Sequence, residues 1–158
     1  MKNLLTYIFL FVSTLSLAQV NSGNKDIMLD YINNYRVENG LEELKYDSIV
    51  EKAAFLQALD NYKNDKGGHI NTNLNLETVE DRLEFVGYES VFGYYWCENA
   101  GRIYDYLNQE SVEKILFNSW KESKGHNLNM LNKYVTKIGY YLINDSNENF
   151  YAIVVFSE

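Results

Sequence analysis

TKIGYYLINDSNENFYAIVVFS, residues 136–157, decides the architecture. TKIGYYLI and NFYAIVVFS alternate in character and are rich in branched and aromatic side chains, which suit a pleated, largely buried surface. The polar NDSNE between them has the composition of a turn. The segment therefore reads as an antiparallel hairpin. Upstream the chain reads mainly as helix and loop, so helices come first and strands late. Without β-α-β alternation, the class is α+β and not a doubly wound parallel sheet.

Working back from the hairpin, SVEKILFNSW (111–120) predicts a helix with Val112, Ile115, Leu116 and Ser119 on its inner face. YESVFGYYWCENAGRIYDY (88–106) is aromatic without helical period, and a strand is expected near 94–104. VEDRLEFVG (79–87) predicts a short helix capped by Thr78 with Asp81 and stopped by Gly87. The polar KNDKGGHINTNLN (63–75) is a loop and carries His69. Ser48 with Glu51 reads as a capping box that opens a helix running to about Tyr62. Its face of Val50, Ala53, Ala54, Gln57 and Ala58 permits close packing. LEELKYDS (41–48) is a turn. A first helix from Asp26 places Met28, Ile32, Tyr35 and the stem of Arg36 on one side and ends at Gly40, a suitable left-handed C-cap.

MKNLLTYIFLFVSTLSLAQ at the start has one lysine, an apolar run, and Ser16 and Ala18 at signal-peptidase spacing. The run is shorter than the roughly 18–20 apolar residues that span a bilayer. Residues 1–18 are thus expected to be a signal peptide, 19–25 a flexible leader, and 26–158 a single domain. The mature product is expected to be secreted, extracellular or periplasmic, with no membrane anchor. Twenty-two Asp and Glu against 14 Lys and Arg give a net charge of −8, and losing Lys2 makes the mature chain one unit more acidic. That balance disfavours a nucleic-acid partner. Cys97 is the only cysteine, so no intramolecular disulfide can form, and its apolar setting VFGYYWC points to a buried, inert thiol. The 14 Tyr, 8 Phe and 2 Trp can supply much of the apolar area that small secreted domains otherwise replace with disulfides. Nothing in the chain explains the absence of proline.

Taken on residue chemistry alone, the candidates are His69, His126, Glu98, Glu122 and Ser123, none in a short metal or nucleophile motif. The two histidines either share a site through the fold or each satisfy backbone groups in separate loops. Ser123 and His126 are spaced as a nucleophile and base on one helical turn, but Gly125 interrupts that turn and no third orienting residue is evident. Glu122 and His126 equally read as an exposed charge pair. Trp120 closes the apolar face of its helix as a core anchor, and Asn129 reads as a hydrogen-bonding device in a buried turn.

In order, LDYINNYRVENGLEELKYDSIVEKAAFLQA, GHIN, DRLEFVGY, ENAG, SW with S-x-G-H-x-x-N-x-L, and IGYYL resemble the CAP superfamily in its short bacterial SCP-like form. The similarity runs from about Ile27 to Phe156. It departs from the pattern where Ser-Pro-Gly-His becomes Ser123–Lys124–Gly125–His126, and where Cys97 replaces a glycine before the glutamate. The resemblance implies a three-layer α-β-α sandwich with a mainly antiparallel central sheet. It implies a cleft holding His69, His126 and Glu98, lined by Ser123, Glu122, Asn129 and Trp120. In eukaryotic members a second glutamate stands where this chain has Ser123. Two imidazoles and a carboxylate suit a divalent cation, zinc above all. By analogy with relatives, the expected function is a non-catalytic binding module for a metal, a small apolar ligand, a glycan or a protein partner. GYYW, Tyr104 and Tyr106 either line an apolar groove or pack the sheet. The alternatives are a metal-dependent, peptidase-like hydrolase using the same cleft, and an interaction protein acting through its acidic surface.

Overall fold

The computed structural model describes residues 23–73, 75–89, 95–104, 106 and 110–158. The expected signal peptide and residues 19–22 of the expected leader lie outside them. The closing hairpin forms as expected. β3 (Lys137–Asn144) and β4 (Phe150–Ser157) pair antiparallel from Lys137 opposite Ser157 to Asn144 opposite Phe150. The Asp145 carboxylate makes the turn by accepting the N–H groups of Asn147 and Asn149 at 2.8 and 2.9 Å. β2 (Trp96–Ile103) runs antiparallel along the other side of β4. Because β4 is interior and covered on both faces, Tyr151–Ser157 are all buried, which is why AIVVF is a continuous apolar run.

LEELKYDS, read as a turn, contains a fourth strand. β1 (Lys45–Tyr46) lies parallel to the start of β3 and makes the order β1-β3-β4-β2. Two residues cannot show an alternating pattern. The strand exists because Lys45 and Asp47 donate to the carbonyls of Thr136 and Ile138, both at 2.9 Å.

Side chains of β4 divide with period two between two cores. Ala152, Val154 and Phe156 meet Met28 and Ile32 of α1 (Lys25–Glu38), Leu116 and Trp120 of α4 (Val112–Glu122), and Met130 of α5 (Lys124–Met130). Ile153 and Val155 meet Val50, Ala53, Ala54 and Ala58 of α2 (Ser48–Lys63) and Leu83 of α3 (Val79–Phe85). The result is the expected α-β-α sandwich about a mostly antiparallel sheet. At Gly139 the backbone of α2 comes so near β3 that an added Cβ would lie 2.2 Å from the amide nitrogen of Glu51.

Several local expectations need correction. The N-cap of α2 is Asp47, not Ser48. Its Oδ1 accepts from Ile49 and Val50 at 2.7 and 3.1 Å, and Ser48 is already helical. Pairing of the Asp47 N–H with β3 holds it extended, the conformation a cap requires. Asp47→Ala should therefore cost about 1 kcal/mol and lower the midpoint of a thermal melt by about 3 °C. α1 begins at Lys25, one residue early, with Asn24 as its cap. The Thr78–Asp81 capping box is present, and Gly40 and Gly87 adopt positive φ after their helices. On α4, Ser119 is exposed while Phe117 and Trp120 are buried. Phe117 is drawn inward by Tyr31, on which it stacks at 5.5 Å. The break between α4 and α5 falls at Ser123, which is extended, and Gly125 lies inside α5.

Candidate functional site

β2 is an outer strand, and its Glu98 side chain points toward the α2–α3 layer. There the carboxylate, 2% exposed, meets Arg82 of α3. Arg82 Nη2 donates to Oε2 at 2.6 Å, and His69 Nδ1 lies 2.9 Å from Oε1. Arg82 is fully buried, and its Nη1 donates to Gln57 Oε1 at 2.8 Å and lies near the carbonyls of Leu76, Glu77 and His69. Gln57 in turn donates to Asn61 Oδ1 and to the Gly68 carbonyl, which also accepts from Asn61. The loop that carries His69 is thus fastened to the polar end of α2. Asp60 adds contacts to Thr72 and Lys66, and Arg102 of β2 grips Asp65.

His126 approaches from the opposite layer, on α5. Asn99 donates to its carbonyl at 3.1 Å, while Asn129 bridges Asn99 Oδ1 and the Glu98 carbonyl at 2.9 and 3.0 Å. Trp120 Nε1 donates to the Ala100 carbonyl at 3.1 Å. Asn129 and Trp120 therefore occupy carbonyls of β2 and pin α5 and α4 there, the structural roles their settings suggested. The rings of His69 and His126 come to 6.3 Å between centroids. Partial burial, with a smaller contribution from facing His69, holds the His126 imidazole below its ordinary pKa, so it is a neutral base near pH 7.

The fold thus brings His69, His126 and Glu98 together. A cavity of about 280 Å³ runs on the His126 side, between the 100–103 stretch of β2 and α4, with His126 and Trp120 on its wall. Of the side chains expected in and around the cleft, His126 and Trp120 are on that wall, while His69, Glu98, Ser123, Glu122 and Asn129 are not. Ser123 is the joint between two helices, Glu122 is exposed at the end of α4, and Asn129 is committed to the strand edge. A larger depression of about 660 Å³ lies at the other sheet edge, by residues 40–47, and contains none of the candidates.

Among the described residues, no three His, Cys, Asp or Glu side chains form a group ready to hold a metal. Both Glu98 oxygens are already engaged, which leaves the carboxylate behind His69 as a supporting group. Two imidazoles sharing a tetrahedral zinc at ordinary Zn–N lengths place their ring centres roughly 5 Å apart. A modest turn of His69, whose side chain is 49% exposed, would close the gap. The residues fit a two-imidazole site with its other positions open.

Arg82 and Asn61 escaped the sequence reading, which placed Gln57 only on the packing face of α2. Arg82 could have been found, since it falls beside Leu83 in the stripe from Val79 to Val86, and a charge in an apolar stripe requires a partner. The tyrosine-rich segment does not gather into one groove among the described residues. Tyr95 stacks on Tyr134, Tyr104 covers the Arg102 guanidinium and Tyr106 meets Phe150; Tyr94 lies outside those residues. Cys97 is half-buried beside the Asn129 carbonyl, and burial pushes its thiol up to about 12. A thiol reagent at mildly alkaline pH should leave it unmodified in the folded protein and label it fully in denaturant.

The model of the CAP family, the cysteine-rich secretory protein family, matches residues 29–156, and the chain belongs to it. Among solved structures it is similar to an outer surface protein from Borrelia burgdorferi, at 21% identity and a TM-score of 0.69, over 84% of this chain and 90% of that one. It is also similar to an extracellular SCP-domain protein from Bacillus anthracis, at 22% identity and a TM-score of 0.66. That match covers 83% of this chain and 39% of the Bacillus chain. NaASP2, solved with Zn2+, matches at 16% identity and a TM-score of 0.60, over 86% of this chain and 81% of its own. No curated protein sequence matches significantly.

Proposed function

We propose that this CAP-domain protein is a secreted, non-catalytic binding module whose His69–His126 cleft takes a divalent cation, zinc most comfortably. The observation that carries this reading is the engagement of Glu98. With one oxygen on buried Arg82 and the other on His69, its carboxylate is not free to accept a proton from an attacking water. Ser123 stands at a helix joint, where eukaryotic relatives have a second glutamate, so no other carboxylate replaces it at that position. The two imidazoles supply nitrogen donors from opposite sides of a strand edge, and the cation would complete its shell with water or with a group from a partner. Bound there, zinc would supply Lewis acidity and a bridge between the protein and a ligand. The protein's own contribution is to hold the two rings. Similarity to an outer surface protein and an extracellular protein supports export, as does the signal-peptide pattern of residues 1–18.

Calorimetric titration of the chain from Gln19 with zinc tests this. Binding near one site per chain, abolished in the His69→Ala/His126→Ala variant, is the expected result. Heat of binding unchanged by the double substitution would sink the reading. So would cleavage of a peptide library by the metal-loaded protein that disappears in the same variant, which would make the cleft hydrolytic.

A further inference from the structure

We infer that Arg82 is a positioning residue which, acting through Glu98, sets the proton of neutral His69 on Nδ1 and leaves the Nε2 lone pair turned outward. The cleft so arranged takes electron-pair acceptors, such as a divalent cation, and not oxyanions. This deepens the binding reading above by naming which ligand class the His69 ring can meet.

The argument begins with a group whose charge is fixed. An arginine guanidinium does not deprotonate in proteins, and that of Arg82 is fully buried with Nη2 2.6 Å from Glu98 Oε2. Its partner is therefore an ionised carboxylate, which can only accept hydrogen bonds. Across the 2.9 Å contact between Glu98 Oε1 and His69 Nδ1, the donor must then be the ring nitrogen. A neutral imidazole carries one N–H, so Nε2 has none and keeps its lone pair. Nε2 is across the ring from the nitrogen that meets buried Glu98, on a side chain that is 49% exposed. Histidine free in water favours the other tautomer, so the Arg82–Glu98 pair inverts the default.

Arginine suits this task because its fork reaches several groups at once. While Nη2 holds Glu98, Nη1 meets Gln57 and approaches the carbonyl of His69 itself. One guanidinium thus locates both the ring and the backbone of residue 69. His126 provides an internal control. Among the described residues its ring nitrogens have no hydrogen-bond partner, and only its carbonyl is held.

The test is a two-bond proton–nitrogen correlation on the chain from Gln19 with 15N-labelled histidine, in mildly alkaline buffer with a chelator. Wild type should show His69 protonated at Nδ1 and bare at Nε2, with His126 averaged between tautomers. Arg82→Gln should bring His69 to the averaged pattern, whereas Arg82→Lys, which keeps the charge, should preserve Nδ1 protonation. Inorganic phosphate should leave the Nε2 signal of His69 in place. An averaged or Nε2-protonated His69 in wild type would overturn the inference, as would an Arg82→Gln protein with the wild-type pattern or a phosphate-induced shift at Nε2. If Arg82→Gln does not fold, Glu98→Ala takes its place with the same two outcomes. Because the tautomer is read without metal, failure of the zinc titration leaves this result standing, and the reverse also holds.

Discussion

Arg82→Met should destabilise the protein by about 3–5 kcal/mol, the range measured when one partner of a buried ion pair is removed. Methionine retains much of the stem that packs within α3, so little of the loss comes from a cavity. What remains is a carboxylate, 2% exposed on the side chain, facing its former partner's empty position. Gln57 Oε1 and the carbonyls of Leu76 and Glu77 lose their donor in the same step. The measurement is the shift of the urea midpoint at constant slope. Adding Glu98→Leu should restore a large part of the loss, since the uncompensated charge then disappears. A single substitution costing less than about 1 kcal/mol would mean that Glu98 takes up a proton or escapes to water.

Gly139→Ala is expected to cost about 3 kcal/mol, at the upper end of the overpacking range. The added Cβ would meet the backbone of α2 at Glu51 and Val50, and backbone cannot turn aside as a side chain can. Strand and helix must separate, which loosens the contacts of Val50, Ala53 and Ala54 with the sheet. Chemical denaturation reads the loss, and near-UV dichroism of the surrounding tyrosines should fall with it. A near-neutral effect would show that α2 can slide on β3 without penalty.

How much of this could be read from the chain depends on where each constraint arises. β3 and β4 announce themselves because their burial repeats along a single stretch, and the glycines after α1 and α3 mark their ends through backbone geometry alone. β1 was hidden because its pairing comes from a segment some ninety residues later, with only two residues on which to leave a pattern. Asp47 and Ser48 are both capping residues, and only the pairing of Asp47 with β3 decides between them. The meeting of His69 with His126 was visible through family resemblance, whereas their chemistry alone pointed first to two histidines each satisfied in its own loop. Arg82 stands out in the chain only as a charge within an apolar stripe, and the identity of its partner resides in the fold.

His69 reaches the cleft from the α2 layer and His126 from the α4–α5 layer, with β2 between them. A ligand held by both rings would therefore work as a removable cross-link between the two faces of the sandwich, in a chain whose single cysteine provides no permanent one. Such a ligand binds only when both layers are docked, so its occupancy reports tertiary assembly and not helix content. By linkage, a hundredfold excess over its dissociation constant would add about 2.7 kcal/mol to the folded state.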